Sequence, residues 1–524
     1  MNLFLTSFFL LGLSGPAEND APKKEAAPPK RKPMFTIGRE TTYITGPLDK
    51  DGYVDYVTAL NERLREGVTP QNNANVLLWK AFGPHPDRVT MPPGYFKWLQ
   101  IPSPPEKGDY FVDGTHFLKE HLKAQGLERT EKLYDAMEKT AARPWKAKDY
   151  PEIAEWLKVN EKPLAVVIEA TKRTHYYNPL VPTPAQAKDK NAPMGLLSAL
   201  VPSVHLCRQM ANALTARAML KVAEGRPEEA WQDLVACHRL GRHAAGGATL
   251  IEGLVGLAIE STANTADLAF IDSVKLDAKK LRSCLKDLQA LPPLPSIADK
   301  IHLSERFIIL DTVMYLAKNG DSSFGSEDAR LQSISGISWD PALRRLNQMY
   351  TRMAAVMRLK DRDLRAKQYA QMDADIGVIY AERRTAKGMA STFLGANSIG
   401  EAFGEIMGDK LVALLMPAGS RILNTAERNE QEHQNVRIAF ALAAYRSDEG
   451  RYPNALDTLV PKYLATVPLD LFNGKALVYR SIGTGYLLYS VGINGRDDEG
   501  RGTADNPPGD DLAVRMPLPK LDEK

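Results

Sequence analysis

Cysteine is scarce in this chain of 524 residues, which contains only three: Cys207, Cys237 and Cys284. A low and odd count excludes the disulfide framework that stabilises many small secreted domains. A single disulfide bridge is not excluded, if the fold brings two of the cysteines together. All three lie in sequence with helical periodicity, which favours buried structural thiols.

Neither sign of charge predominates. The chain carries 67 Lys and Arg against 64 Asp and Glu, a net charge of +3, and the two signs are interspersed. A protein that binds nucleic acid or anionic lipid usually concentrates positive charge on one face. We therefore expect neither as a partner.

The short motifs of several common enzyme classes are also missing. The sequence has no Gly-x-Ser-x-Gly elbow, no His-Glu-x-x-His helix and no Gly-x4-Gly-Lys-Ser/Thr phosphate loop. An enzyme whose site is assembled from distant residues is not excluded by these absences. We expect a non-enzymatic interaction protein, with an exported hydrolase-like enzyme as the alternative. The site of such an enzyme would lie within residues 35–191 or between them and the helical segment that follows.

No apolar run is long enough to span a bilayer. Residues 3–13 are almost wholly apolar, which suits the hydrophobic region of a signal peptide, and small residues follow at 14, 15 and 17. No Lys or Arg precedes this run, so an apolar N-terminal helix is the alternative. We expect residues 1–15 to be a signal peptide and 16–34 a disordered tether rich in Pro, Lys and Ala, in a protein exported to the periplasm, the cell envelope or the exterior.

The next four hundred or so residues read as mostly helical, and their patterns change several times. The expected segments are a mixed, mostly helical domain at 35–191, a helical domain at 192–319, a flexible loop at 320–341, and a long charged helix with connecting helices at 342–423. The long helix is expected over residues 342–387. Charged residues within 392–423 argue against a transmembrane helix there.

Within the helical domain, two helical patterns flank the turn Gly225-Arg226-Pro227. Pro227 at the start of the second helix, with Glu228 and Glu229 in its first turn, suits the dipole of that helix. Residues 213–240 resemble one tetratricopeptide-type helical hairpin. The pattern does not recur at a fixed 34-residue period, so an extended repeat array is not expected.

Residues 424–524 have a different pattern. A helix is expected at 430–446, followed by strands at 476–480 and 486–490, joined by a Gly-containing connection, and by a last strand at 512–516. A loop rich in Gly, Asp and Asn separates the second strand from the third. The expected fold class is therefore mainly α and multidomain, with a C-terminal α+β domain made of a helix and a small antiparallel sheet.

A specific set of residues in this region resembles the soluble domain of the major pseudopilins of type II secretion systems. The set consists of Tyr445, Asp448, Gly450, Tyr452, Pro453, Pro468, Leu469, Asp470, Asn473, Gly474, Tyr479, Tyr486, Tyr489, Ser490, Gly492, Gly509, Asp510 and Asp511. The resemblance covers about a fifth of the chain. It implies an extracytoplasmic setting and a protein partner in the cell envelope. Pseudopilins begin with a long apolar helix that packs the filament, whereas here charged sequence precedes the domain. We therefore expect a reused, folded appendage, with a pseudopilin-related envelope subunit as a further alternative.

The resemblance also implies calcium binding in the last loop. Asn494, Asp510 and Asp511 match the family's positions, and Asp497 and Asp498 lie nearby. Calcium prefers six to eight hard oxygen ligands, which a flexible acidic loop can supply. The alternative is an acidic loop that is simply solvated, and Asn494 stands where the family tends to place Asp.

Two other groups of polar residues have weaker patterns. Asp49, Asp51 and Asp55 around Gly52 resemble a calcium loop that lacks both end ligands, so a turn followed by an Asp N-cap is expected. Histidines occur in two groups, at Cys237, His238 and His243 and at His116, Glu120 and His121. Neither group has the spacing of a tetrahedral metal site, and we expect surface or packing histidines in both.

Overall fold

The computed structural model describes residues 34–124, 131–183, 195–199, 201, 203–319, 337–383, 385–415 and 419–521. The expected signal peptide, nearly all of the expected tether and most of the expected loop at 320–341 lie outside these residues. The described part is mainly helical and contains one three-stranded antiparallel sheet. This confirms the mainly helical fold class and the small sheet.

Seven helices cover the N-terminal region. They are α1 (Tyr56–Leu64), α2 (Ala74–Phe82), α3 (Pro93–Leu99), α4 (Gly114–Ala124), α5 (Glu131–Ala142), α6 (Pro151–Val159) and α7 (Glu161–Thr171). Six more follow: α8 (Ser203–Ala223), α9 (Pro227–Ala245), α10 (Leu250–Ser273), α11 (Ala278–Gln289), α12 (Ile297–Lys300) and α13 (Arg306–Asn319). The last helices are α14 (Asp340–Met357), α15 (Arg362–Arg383), α16 (Ala386–Gly395), α17 (Ile399–Leu415) and α18 (Gly419–Glu449).

Helices α8 and α9 form the expected hairpin. Gly225 takes a left-handed φ of 75° at the turn, where other residues would be strained. A buried ion triad joins the two helices: Arg217 Nη2 lies 2.7 Å and Lys221 Nζ 2.8 Å from the carboxylate oxygens of Asp233. Because both cations share one buried carboxylate, removing it would leave two uncompensated charges.

Helices α9 and α10 approach each other closely where both carry glycine. A Cβ at Gly256 would collide with the backbone nitrogen of Ala245 and the carbonyl oxygen of Gly241. Helix α10 starts at a capping box, in which Thr249 and Glu252 satisfy each other's backbone N–H groups. One turn away from this tight crossing, polar side chains of the two helices come within hydrogen-bonding distance of each other.

The long helix α18 joins the C-terminal region to the helical block. It packs against α10 and α11, and its buried Phe440 lies in the same hydrophobic core as Trp231 and Phe270. The expected boundary at residue 424 therefore falls inside a continuous helix that begins at Gly419. The C-terminal sheet and the central helices share one core.

The sheet contains β1 (Val478–Ile482), β2 (Gly485–Ser490) and β3 (Leu512–Met516) in that order. Leu488 pairs with Tyr479 on one side and with Val514 on the other. Both Leu488 and Val514 are buried in the core that also contains α18. The expected hairpin and last strand are confirmed to within two residues.

The prediction of a single long helix at 342–387 is wrong, because the structure has two helices there, α14 and α15. The first ends at Met357, and Asp361 starts the second by accepting a hydrogen bond from the Leu364 N–H at 2.9 Å. Asp at an N-cap competes with continued helix because its side chain satisfies the backbone locally. Within the described residues, no helix is long and apolar enough to cross a membrane.

Candidate functional site

The loop between β2 and β3 gathers four of the five residues predicted to bind calcium. Asp511 Oδ2 accepts from the N–H groups of Gly500 and Asp498, at 2.7 and 3.1 Å. Asp510 Oδ2 accepts from the Asn494 N–H at 2.9 Å, and Asp498 Oδ2 accepts from the Asp510 N–H at 3.0 Å. The loop is thus folded around its own carboxylates.

The fifth predicted residue is used differently. Asp497 Oδ1 accepts hydrogen bonds from the Tyr489 hydroxyl at 2.9 Å and from the Glu499 N–H at 2.8 Å. Its carboxylate is therefore engaged by the neighbouring strand β2 and by its own turn.

Two carboxylate oxygens of the loop lack a hydrogen-bond partner in the described part of the chain. Asp510 Oδ1 and Asp511 Oδ1 are buried and have no hydrogen-bond partner among the described residues. A buried acceptor without a partner costs free energy, and carboxylate oxygens are the type of ligand that Ca²⁺ prefers. Burial raises the pKa of Asp511, whereas the N–H groups of Gly500 and Asp498 lower it. Among the described residues, the carboxylates of this loop do not form a group of three with ligand atoms within 4.8 Å of one another.

A second polar group lies deep in the helical block, where α9, α10 and α18 meet. The imidazole of His238 donates from Nδ1 to Glu260 Oε2 at 3.0 Å and from Nε2 to Asp267 Oδ2 at 2.9 Å. All three side chains are fully buried. We call His238, Arg242, Glu260, Asn264, Asp267 and His433 the buried polar cluster.

The charge on His238 follows from its two carboxylate neighbours. Burial alone lowers the pKa of the imidazole, but Asp267 and Glu260 outweigh that effect and raise the pKa to about 10. Burial raises the pKa of Asp267, and His238 partly reverses this. The arrangement is a protonated imidazole held between two carboxylates, without access to solvent.

His433 from α18 faces the same cluster in the opposite protonation state. Burial, His238 and Arg242 all lower the pKa of His433 well below its usual range, so its imidazole is neutral at pH 7. Its Nδ1 donates to Asn264 Oδ1 at 3.3 Å, and its Nε2 accepts from Arg242 Nη2 at 3.4 Å. The same Nη2 lies 3.4 Å from Glu260 Oε2.

Arg242 also lines an open cavity of about 710 Å³ next to the cluster. The cavity lies between residues 171–176, which follow α7, and the C-terminal end of α9. It is lined by Thr171, Lys172, Arg173, Thr174, Tyr176, Arg239, Arg242, His243, Gly246, Pro292, Pro293 and Pro295. Four of these residues are Lys or Arg and none is acidic, so the cavity favours an anionic ligand, although burial lowers the pKa of His243. We call it the basic cavity.

The remaining polar groups singled out in the sequence lie in a turn, at a helix cap, in the wall of the basic cavity and at the surface. Lys318 Nζ lies 3.0 Å from Asp49 Oδ2, and Asp55 caps α1 through the Thr58 N–H, which confirms the turn and the N-cap. His243 stacks on Tyr176. His116 and Glu120 are exposed, whereas the side chain of His121 lies outside the described residues. All three cysteines are buried, as expected, and each is free.

Sequence reasoning missed Glu260, Asp267 and His433. A usable signal was present in α10, where two acidic residues seven positions apart fall on one face of a largely apolar helix. A buried acid needs a partner, and the neighbouring helix α9 offers the basic residues His238, Arg239, Arg242 and His243. Compared with known proteins, the chain matches no family model, no curated protein and no solved structure.

Proposed function

We propose that this protein is an exported, non-enzymatic interaction protein whose C-terminal module docks to an assembly of the cell envelope related to type II secretion. The observation that carries the proposal is the residue pattern of 424–524, which coincides with a helix followed by a three-stranded antiparallel sheet. The helical part in front of the module would present a second surface to a protein partner.

The residues behind the pseudopilin resemblance support the proposal because they contact one another. Asp470 is buried and accepts from Ser490 Oγ and the Val491 N–H, both at 2.9 Å, so it fixes the end of β2. The Tyr479 hydroxyl donates to the Pro453 carbonyl at 2.8 Å. The rings of Tyr452 and Tyr486 pack edge to face with centroids 4.8 Å apart. The residues that match the family thus belong to one connected part of the structure.

The packing of α18 favours an appendage over a filament subunit. A pseudopilin filament is held together by exposed apolar faces of N-terminal helices. Here the buried face of α18, including Val436 and Phe440, is covered by α10 and α11 of the same chain. That face is not free to pack against another subunit.

Calcium binding belongs to the same proposal. The two partnerless oxygens, Asp510 Oδ1 and Asp511 Oδ1, would ligate the ion, with further oxygens from Asn494 and Asp498 close by. When bound, calcium would neutralise the negative charge of the crowded carboxylates in this loop. Its role is structural, because it would hold the loop between β2 and β3 in one conformation.

The docking proposal is tested by crosslinking and capture of the full chain from its native envelope fraction. Leu469 and Ile482 of the module are each 57% exposed and offer apolar contacts. We expect secretion components to be recovered with the wild type and lost with Leu469→Asp combined with Ile482→Asp. Ile251→Asp, on α10 and 59% exposed, is the matched control and should retain them. Failure of the wild type to recover any secretion component would contradict docking.

The basic cavity favours one second candidate, an exported enzyme that acts on an anionic substrate. Its location, between the N-terminal region and the helical block, is where the sequence alternative placed such a site. Arg239 is the residue to change, since Arg239→Ala removes one charge from the wall without touching the buried polar cluster. Turnover of chromogenic phosphate or carboxylate esters by the wild type, reduced at least tenfold in Arg239→Ala and unchanged in Arg344→Ala on α14, would favour the enzyme. Absence of turnover would favour the interaction protein over the enzyme.

A further inference from the structure

We propose that His238, Glu260 and His433 bind a divalent transition-metal ion of the zinc class where α9, α10 and α18 meet. Each residue offers one ligand atom, and these atoms all lie within 4.8 Å of one another. All three side chains are buried. The inference goes beyond the proposed function and is independent of whether the C-terminal module docks.

The donor set is one that zinc and related ions use. Two imidazole nitrogens and a carboxylate oxygen provide three ligands, and the remaining position of a tetrahedron is open. Metal–ligand bonds of about 2.0–2.1 Å place neighbouring ligands of a tetrahedron roughly 3.3 Å apart. His238 Nδ1 and Glu260 Oε2 are 3.0 Å apart, close to that spacing, but Nδ1 points at Oε2 along their hydrogen bond, so the imidazole must turn for both atoms to face one ion. The three ligand atoms are no more than 4.8 Å apart, so the third ligand must move inward to complete the site.

Outer residues fix which nitrogen of each imidazole faces the other ligands. Asp267 accepts from His238 Nε2, so Nδ1 is the nitrogen presented to Glu260. Asn264 accepts from His433 Nδ1, so the lone pair of Nε2 faces the other ligands. Metal-binding histidines commonly donate their second N–H to a carboxylate or carbonyl oxygen in this way.

A separate observation points to a missing partner at this place. Glu260 Oε1 is buried and has no hydrogen-bond partner among the described residues. Arg242 Nη2 now lies 3.4 Å from both Glu260 Oε2 and His433 Nε2, on the point between the two ligands. Arg242, whose Nη1 also donates to the Pro292 carbonyl, borders the basic cavity and must move for an ion to bind.

Charge balance explains why the cluster is stable without an ion. Protonated His238 and Arg242 balance the carboxylates of Glu260 and Asp267. On binding, the ion takes the place of the Nδ1 proton of His238, which passes to solvent. The coordination bond to Nδ1 forms as the N–H bond breaks, and no oxidation or reduction is involved.

The test uses the full chain after treatment with a chelator and dialysis. Zinc chloride is titrated by calorimetry, and cobalt chloride is added as a spectroscopic probe of N/O coordination. We expect one equivalent of tightly bound zinc, a raised melting temperature, and visible cobalt bands typical of four-coordinate sites. Glu260→Gln and His433→Gln should weaken zinc binding at least 100-fold, and Asp267→Asn by roughly 10- to 100-fold, as for outer-shell partners.

Two controls separate this site from others. His116→Gln changes an exposed histidine, and Asp511→Asn changes the C-terminal loop, so both should bind zinc like the wild type. Circular dichroism of metal-free His433→Gln, which loses only two long hydrogen bonds, shows whether the variant is folded. The proposal is overturned if the folded wild type binds neither zinc nor cobalt. It is equally overturned if folded Glu260→Gln and His433→Gln bind as tightly as the wild type.

Discussion

The ring of Phe440 on α18 packs edge to face against the indole of Trp231 on α9, with ring centroids 5.2 Å apart. Phe440 is fully buried, and Trp231 also contacts Phe270 on α10 at 5.5 Å. Two aromatic contacts of Trp231 thus link the C-terminal module, the hairpin of α8 and α9, and α10. The module and the helical block should therefore unfold together.

Phe440→Ala tests this coupling. Truncating a buried aromatic ring removes its transfer free energy and leaves a cavity, so we expect a loss of about 3–5 kcal/mol in the free energy of unfolding. Denaturant unfolding followed by tryptophan fluorescence and by far-ultraviolet circular dichroism should give coincident transitions before and after the change. Ile482→Ala, at an exposed position of the module, should shift stability by no more than about 0.5 kcal/mol. Separate transitions for sheet and helices would contradict a shared core.

Asp511→Asn tests calcium in the last loop. If Ca²⁺ binds there, 100-fold excess over its dissociation constant adds about 2.7 kcal/mol to the stability of the wild type, and a calcium chelator removes it. The variant should show no such response, because it loses one ligand and one charge. Glu499→Gln, at an exposed acid of the same loop, is the matched control and should respond like the wild type. If calcium does not change the melting temperature of the wild type, calcium does not bind to this loop.

The elements that the sequence predicted well are those set by local chemistry. Gly225 and Pro227 specify the end of α8 and the start of α9, and the Gly-containing connection after Ile482 specifies the hairpin. The break between α14 and α15 was missed because one Asp N-cap, Asp361, overrides a continuous helical pattern.

The buried polar cluster could not be read in the same way. His238 and His433 are 195 residues apart in sequence and meet only because α18 packs across α10. No spacing rule connects residues that lie on different helices. A buried acid such as Asp267 indicates that a partner exists, but tertiary packing decides which one. This is why the sequence predicts only a packing or surface role for His238 and gives no signal for His433.

Gly256→Ala tests the close crossing of α9 and α10, which positions the buried polar cluster. The new methyl group would collide with the backbone of Ala245, which cannot move as a flexible side chain can. We expect a loss of about 1–3 kcal/mol through overpacking. Gly377→Ala is the matched control, because Gly377 lies in α15 with nothing within 4 Å of its Cβ position. That change should stabilise the chain by about 0.5–1 kcal/mol. Thermal melts of both variants decide the prediction, and destabilisation by Gly377→Ala would contradict it.

Asp311 on α13 should give the protein a specific pH dependence. Burial raises the pKa of its carboxyl to about 6, although the Leu196 N–H, which donates to Oδ2 at 2.7 Å, opposes the shift. In the unfolded chain the group has its ordinary pKa of 3.8. The folded state therefore holds the proton more tightly. The cost of burying the charge is fully present above pH 6 and disappears as the pH falls towards 4.

Asp311→Asn isolates this contribution, because the amide is neutral at every pH and its oxygen can still accept from the Leu196 N–H. At pH 7 we expect the variant to be more stable than the wild type by roughly 1–2 kcal/mol, after allowance for the partial exposure of the residue. The difference should shrink as the pH is lowered from 7 to 4.5, because the wild-type carboxyl then becomes neutral in the folded state. Taking the difference in stability between the two proteins at each pH cancels the contributions of the other titrating groups. Urea unfolding of both proteins at four or five pH values measures it, and a difference independent of pH would show that Asp311 is not protonated on folding.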